Sequence, residues 1–141
     1  MCVVARTAPS SDCILILMII LVLEDVNETR DGIEKLLKAD GYRVALARDE
    51  TDAIESAQRQ RPDLILVSVA GLPHEVVATA RRVRERSEVG EDVPVVVFCF
   101  EDIGEGDEVS IGRNVHLACP DNFNQLRRLI RRLLSEIPAA V

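Results

Sequence analysis

The chain has 141 residues, 48% of them hydrophobic, and a net charge of −7. That is apolar enough for one well-buried core and too apolar for a disordered chain. The charge has the wrong sign for general nucleic-acid binding, which needs a basic footprint. Aromatic residues amount to only 3%, so the core must be built from Val, Leu, Ile and Ala. The four cysteines, Cys2, Cys13, Cys99 and Cys119, show neither CxxC nor zinc-type spacing and read as reduced thiols of a cytoplasmic protein.

From the N-terminus, Cys13 to Leu23 is an apolar run of eleven residues that stops at Glu24-Asp25. A bilayer crossing needs about 20, so no membrane span is expected. Arg6 precedes the run, but no small-residue cleavage site follows it, which argues against a secretory signal. The first strand falls at Ile19–Leu23, with Ile14–Leu17 a candidate backward extension. Residues 1–17 read as a leader or an over-long start before Met18, residues 18–136 as one domain, and 137–141 as a tail.

Asn27 is placed as the cap of a helix reaching about Asp40, with Ile33, Leu36 and Leu37 on one face and Gly41 at the stop. A short strand over Arg43–Ala47, a helix over Thr51–Arg59 and a buried strand over Asp63–Val67 follow. The next helix, His74–Glu88, turns Val76, Val77, Ala80 and Val83 toward the core, and Pro94 opens a strand over Val95–Phe98. The acidic stretch Glu101–Gly112 contains Gly104, Gly106 and Gly112, so a helix there would be short or poorly formed. Val115–Ala118 is the fifth strand. The last helix, about Asn122–Glu136, is the clearest of all, with Leu126, Leu129, Ile130, Leu133 and Leu134 at i, i+3, i+4, i+7 and i+8. Strands alternating with helices mean an α/β fold with a parallel sheet: one domain with five strands and five helices.

Several short stretches stand in a telling order: Glu24-Asp25 after the first strand, Gly41-Tyr42 before the second, Pro62-Asp63 opening the third, Pro94 opening the fourth, and Gly112 through Pro120 around the fifth. In order and spacing, residues 18 to about 136 resemble a response-regulator receiver domain. The resemblance implies a three-layer α/β/α sandwich, flavodoxin-like or CheY-like, with a doubly wound five-stranded parallel sheet of order 2-1-3-4-5 and functional groups at the C-terminal strand edge. It also implies a cis bond between Cys119 and Pro120.

Receiver chemistry uses a phosphoacceptor aspartate at the third strand tip, a Thr or Ser after the fourth strand and a Lys after the fifth. The matching positions here hold Ser68, Cys99 and Cys119, and the aromatic switch position holds His116. Of the working set only Glu24 and Asp25 remain, a vestigial Mg²⁺ site that would bind the ion weakly for want of a third ligand. The two lysines, Lys35 and Lys38, sit on the first helix, away from the phosphate position, and Asp63 lies at the opposite end of its strand. A serine hydroxyl with no base beside it is a poor nucleophile. Each such residue also has a plainer reading: Glu24-Asp25 as an acidic turn at a helix start, Ser68 and the cysteines as small pocket-filling residues, His116 as a strand-end histidine with an ordinary hydrogen bond.

The resemblance therefore implies a degenerate, stand-alone pseudo-receiver of a two-component or phosphorelay system. It would not be an enzyme, would need no cofactor beyond weak Mg²⁺, and would take no small-molecule substrate, nucleic acid or membrane. Its partner would be a protein: a histidine kinase, an output protein or a second copy. Arg127, Arg128, Arg131 and Arg132 form a basic stripe on the last helix, a candidate interface for which the acidic Glu101–Glu108 segment is a complementary surface. The alternative is a thiol switch between Cys99 and Cys119, whose strands would be neighbours about 4.8 Å apart. A flavodoxin-type flavin protein is disfavoured, because Glu24-Asp25-Val26-Asn27 would repel a phosphate.

Overall fold

The computed structural model describes residues 18–98, 104, 106–120 and 122–135. Five parallel strands, β1 (Ile19–Leu23), β2 (Arg43–Ala47), β3 (Leu64–Val67), β4 (Val95–Phe98) and β6 (Val115–Ala118), are joined by a short antiparallel edge strand, β5 (Glu108–Ser110). The sheet order is β2-β1-β3-β4-β6-β5, so the parallel strands follow the doubly wound order expected from the resemblance and the edge strand is an addition to it. Four helices are described: α1 (Asn27–Ala39), α2 (Glu50–Arg59), α3 (Pro73–Arg86) and α4 (Phe123–Ser135).

The period of two along each strand assigns the layers. Leu21, Leu23, Ile65, Val67, Val95, Val97 and Leu117 pack with Ala53 and Ala57 of α2 and Val76, Val77, Ala80 and Val83 of α3. Their neighbours Ile20, Val22, Leu64, Leu66, Val96 and Ala118 face the other way, onto Ile33 and Leu37 of α1 and the leucines of α4. Burial on both faces explains why these strands read as unbroken apolar runs rather than alternating ones. The five apolar positions singled out on α4 are all buried.

Beyond shifts of one or two residues at element ends, local structure departs from the sequence reading in four places. The cap of α1 is Val26, without a side-chain bond, while Asn27 is the first helical residue and its Oδ1 accepts from Arg30 Nη2. Leu36 is 43% exposed, one position outside the face formed by Ile33 and Leu37. The Cys119–Pro120 bond is trans, the lower-energy isomer of an X–Pro bond. Here Cys119 continues the edge pairing, its N–H donating to Asp107 O and its carbonyl accepting from Gly106 N.

The largest departure is the acidic segment, whose described part holds a strand instead of a weak helix. Gly112, Arg113 and Asn114 all take positive φ, and Val115 N–H closes the reversal on Gly112 O at 3.1 Å. That turn brings Val109 opposite Leu117 and Ser110 opposite His116. Glycine weakens a helix here, while β-branched Val109 and Ile111 suit a pleated surface.

Candidate functional site

In a doubly wound sheet, functional groups gather beyond the C-terminal ends of the strands. Leu23 pairs with Val67, so the residues that follow, Glu24 and Ser68, emerge side by side. Ser68 N–H donates to Leu23 O at 3.0 Å, and Glu24 N–H donates to Ala47 O at 3.0 Å, which extends the ladder to the strand tips. From there Ser68 Oγ donates to Glu24 Oε1 at 2.6 Å. Glu24 Oε2 accepts the Val26 N–H at 2.9 Å. With only 3% of its surface exposed, Glu24 is thus satisfied on both carboxylate oxygens by the protein itself.

Arg30, one turn into α1, folds back over this corner. It is buried, and its Nη1 donates to the Glu24 carbonyl at 2.9 Å while Nη2 donates to Asn27 Oδ1. It therefore ties the strand tip to the helix start. Nothing in composition or spacing marked Arg30; its role emerges only once β1 and α1 meet. Asp25 is exposed beside Glu24. An open cleft of about 370 Å³ lies against these groups, with Asp25, Thr29, Ser68, Gly71, Pro73 and Phe98 among its walls.

Magnesium demands a near-octahedral oxygen shell, and here the exposed Asp25 is the carboxylate that the protein leaves open to it. Both Glu24 oxygens are occupied, and among the described residues no group of three or more His, Cys, Asp or Glu is placed to hold a metal ion. The expectation that Ser68 has no base beside it is also modified: a carboxylate is its partner, though a far weaker base than the imidazole that usually activates a serine.

The remaining candidate residues do not converge on this cleft. His116 lies within β6, half-buried, with Nε2 at 2.9 Å from Asn114 Oδ1. Cys119 is buried just beyond the end of β6, and Cys99 lies outside the described residues, as do Glu101, Asp102 and Asp121. Lys38 pairs with Glu34 at 2.9 Å on α1. Asp63 accepts the Ile19 N–H at 2.8 Å, far from the tip of its strand.

The arginine stripe on α4 is partly spent inside the chain. Arg127 Nε donates to Asp40 Oδ2 at 2.7 Å and its guanidinium lies 5.1 Å from the Phe123 ring centroid. Arg132 ion-pairs with Glu108 of β5. Of the described residues of the acidic segment, Glu108 thus pairs with the stripe within one molecule. Arg128 and Arg131 are exposed.

No family model matches the chain. Response regulator MprA of Mycobacterium leprae is 29% identical over 119 residues, covering 83% of this chain and 51% of that protein. MprA of Mycobacterium ulcerans is 30% identical over 83 residues, covering 59% of this chain and 34% of that protein. The chain thus spans about half, or about a third, of the length of these relatives.

Among solved structures, the receiver domain of a Pseudomonas aeruginosa sensor histidine kinase, with a magnesium ion in its active-site cleft, is 27% identical with a TM-score of 0.61, covering 85% of this chain and 99% of that one. Vibrio cholerae chemotaxis protein CheY4 shares the fold at 24% identity and a TM-score of 0.65, covering 83% of this chain and 98% of that one. Sheet order and layer assignment are those of the CheY-like receiver fold, and the chain is similar to response regulators and to receiver domains. Among the described residues no helix is long and apolar enough to cross a membrane.

Proposed function

We propose that this receiver domain has lost aspartyl phosphotransfer and signals through protein–protein contacts alone. The observation that carries the reading is the Ser68–Glu24 hydrogen bond. The tip of β3 offers a hydroxyl where receiver chemistry needs a carboxylate, and the buried carboxylate nearby has both oxygens engaged. An acyl phosphate forms on a carboxylate that is exposed to the donor and flanked by a cation. The first condition fails at Glu24, which is only 3% exposed. Phosphorylated receivers also use a cationic side chain after the last parallel strand, and here Cys119 stands beyond the end of β6. The partner is a protein: a kinase, an output protein or a second copy.

Intact mass after incubation with acetyl phosphate and Mg²⁺, with reductant present, tests the reading. The expected result is an unchanged mass. A phosphate adduct mapped to a residue of the cleft would overturn it.

A further inference from the structure

Sheets in native proteins guard their edges, because an open row of N–H and C=O groups templates pairing with another strand; the usual guards are proline, unpaired charge or a covering element. Strand β5 is the edge beyond β6, and all three of its residues are exposed. It contains no proline. Its single charge, Glu108, is neutralised by Arg132 of the same chain. Val109 is 43% exposed on it and Ile111, just beyond it, is 36% exposed.

The hydrogen-bond pattern shows which backbone groups are open. Cys119 N–H donates to Asp107 O at 3.1 Å and Ile111 N–H donates to Val115 O at 3.0 Å, so residues 107 and 111 face β6. Because antiparallel strands alternate, Val109 faces β6 as well, while the N–H and C=O groups of Glu108 and Ser110 point away from the sheet.

We propose that β5 pairs antiparallel with β5 of a second copy, making one continuous sheet across the two molecules. A two-fold axis through Val109 sets Glu108 against Ser110 of the second copy and Ser110 against Glu108 of the second copy. Both pairs are then hydrogen-bonded and their backbone groups match. Val109 meets Val109 of the second copy in the non-hydrogen-bonded position between them, where side chains come closest. In this register no like charges stand directly opposite: Glu108 faces a serine, and Asp107 faces an isoleucine. The strand that suits this axis best is therefore β5 itself. On the α3 side the paired valines continue into a groove lined by Pro73, Val77, Ile111 and Leu117. The proposal is independent of whether Ser68 or any other residue accepts phosphate.

Sedimentation equilibrium over a range of concentrations tests it, with the monomer–dimer equilibrium as the readout. Ser110→Pro removes an outward N–H that β6 does not use, and should raise the dissociation constant by roughly tenfold or more. Val109→Lys puts two like charges in contact at the axis and should leave monomer only; its circular dichroism spectrum, matching the parent, shows that the loss is not unfolding. As a positive test, Val109→Cys should give a reductant-sensitive cross-linked dimer under mild oxidation that the parent and Ile111→Cys do not give. A parent that stays monomeric at every concentration overturns the proposal, as does dimerisation that Ser110→Pro and Val109→Lys leave unchanged.

Discussion

Ser68 and Glu24 are 44 residues apart in sequence and 2.6 Å apart across the tips of β3 and β1. The contact exchanges one set of properties for another. A pair of carboxylates at this place would repel one another until a cation joined them, whereas a hydroxyl and a carboxylate satisfy each other without one.

Replacement of Ser68 separates these cases. Ser68→Ala leaves Oε1 of a nearly buried carboxylate without its partner and should lower unfolding stability by about 1–3 kcal/mol, read as an earlier urea midpoint with unchanged slope. Ser68→Asp sets a second carboxylate against Glu24 and should lower stability further in the presence of a chelator, with Mg²⁺ restoring part of the loss by mass action. A serine-to-aspartate variant as stable as the parent in chelator would show that Glu24 does not confine the site as described.

Glu50, at the start of α2, is held by Arg82 Nη2 at 2.8 Å and Nε at 2.9 Å, with Arg86 at 3.6 Å, so that one carboxylate clamps α2 to α3. The hydrogen bonds from Arg82 hold its carboxyl below the ordinary value of 4.5. A depressed folded-state pKa means that the contribution is complete above about that ordinary value and is lost as pH falls through the lower, folded one. The stability difference between the parent and Glu50→Gln should therefore be constant near neutrality and shrink in acid. Its size should be under about 1 kcal/mol, because the pair is partly solvated. Urea titrations of both proteins at several pH values check the slope and its sign.

Tyr42 is 4% exposed, and among the described residues its hydroxyl makes no hydrogen bond of normal geometry, with the Arg131 guanidinium its nearest polar neighbour in effect. Burial raises its pKa above the ordinary 10.0, the effect of Arg131 in the other direction being smaller. The folded state then keeps the proton that the unfolded chain releases above that ordinary value, so stability drops as pH rises from there toward the folded value. Tyr42→Phe removes an unsatisfied buried group and should be at least as stable as the parent at neutral pH, within about 1 kcal/mol. It should also lose that alkaline decline. Thermal melts at neutral and alkaline pH check both.

Most strands were legible because they are short, largely apolar runs, those of β1 and β3 buried throughout: the observed limits of β1, β2, β4 and β6 match those read from the sequence. The α4 face was equally plain, since five leucine and isoleucine positions repeat at helical spacing. The ends of helices were less so. Asp49, whose side chain accepts from Asp52 N–H at 2.8 Å, caps α2, which begins at Glu50, one residue before the predicted limit, and Val26 caps α1 although Asn27 is the better capping residue by type. Glu24 Oε2 accepts the Val26 N–H two residues on, and α1 begins directly after this local side-chain contact.

By itself the sequence determined the α/β class, the succession of parallel strands, and the residue types at the strand tips, because hydrophobic period and residue identity are properties of the chain read locally. The tertiary structure decided the rest. It joined Ser68 to Glu24, folded Arg30 over them, and turned the acidic segment into an edge strand whose glutamate pairs with α4. Each of these depends on groups brought together by sheet register and helix packing, and a short segment rich in glycine and acid takes its conformation from the surface on which it lands.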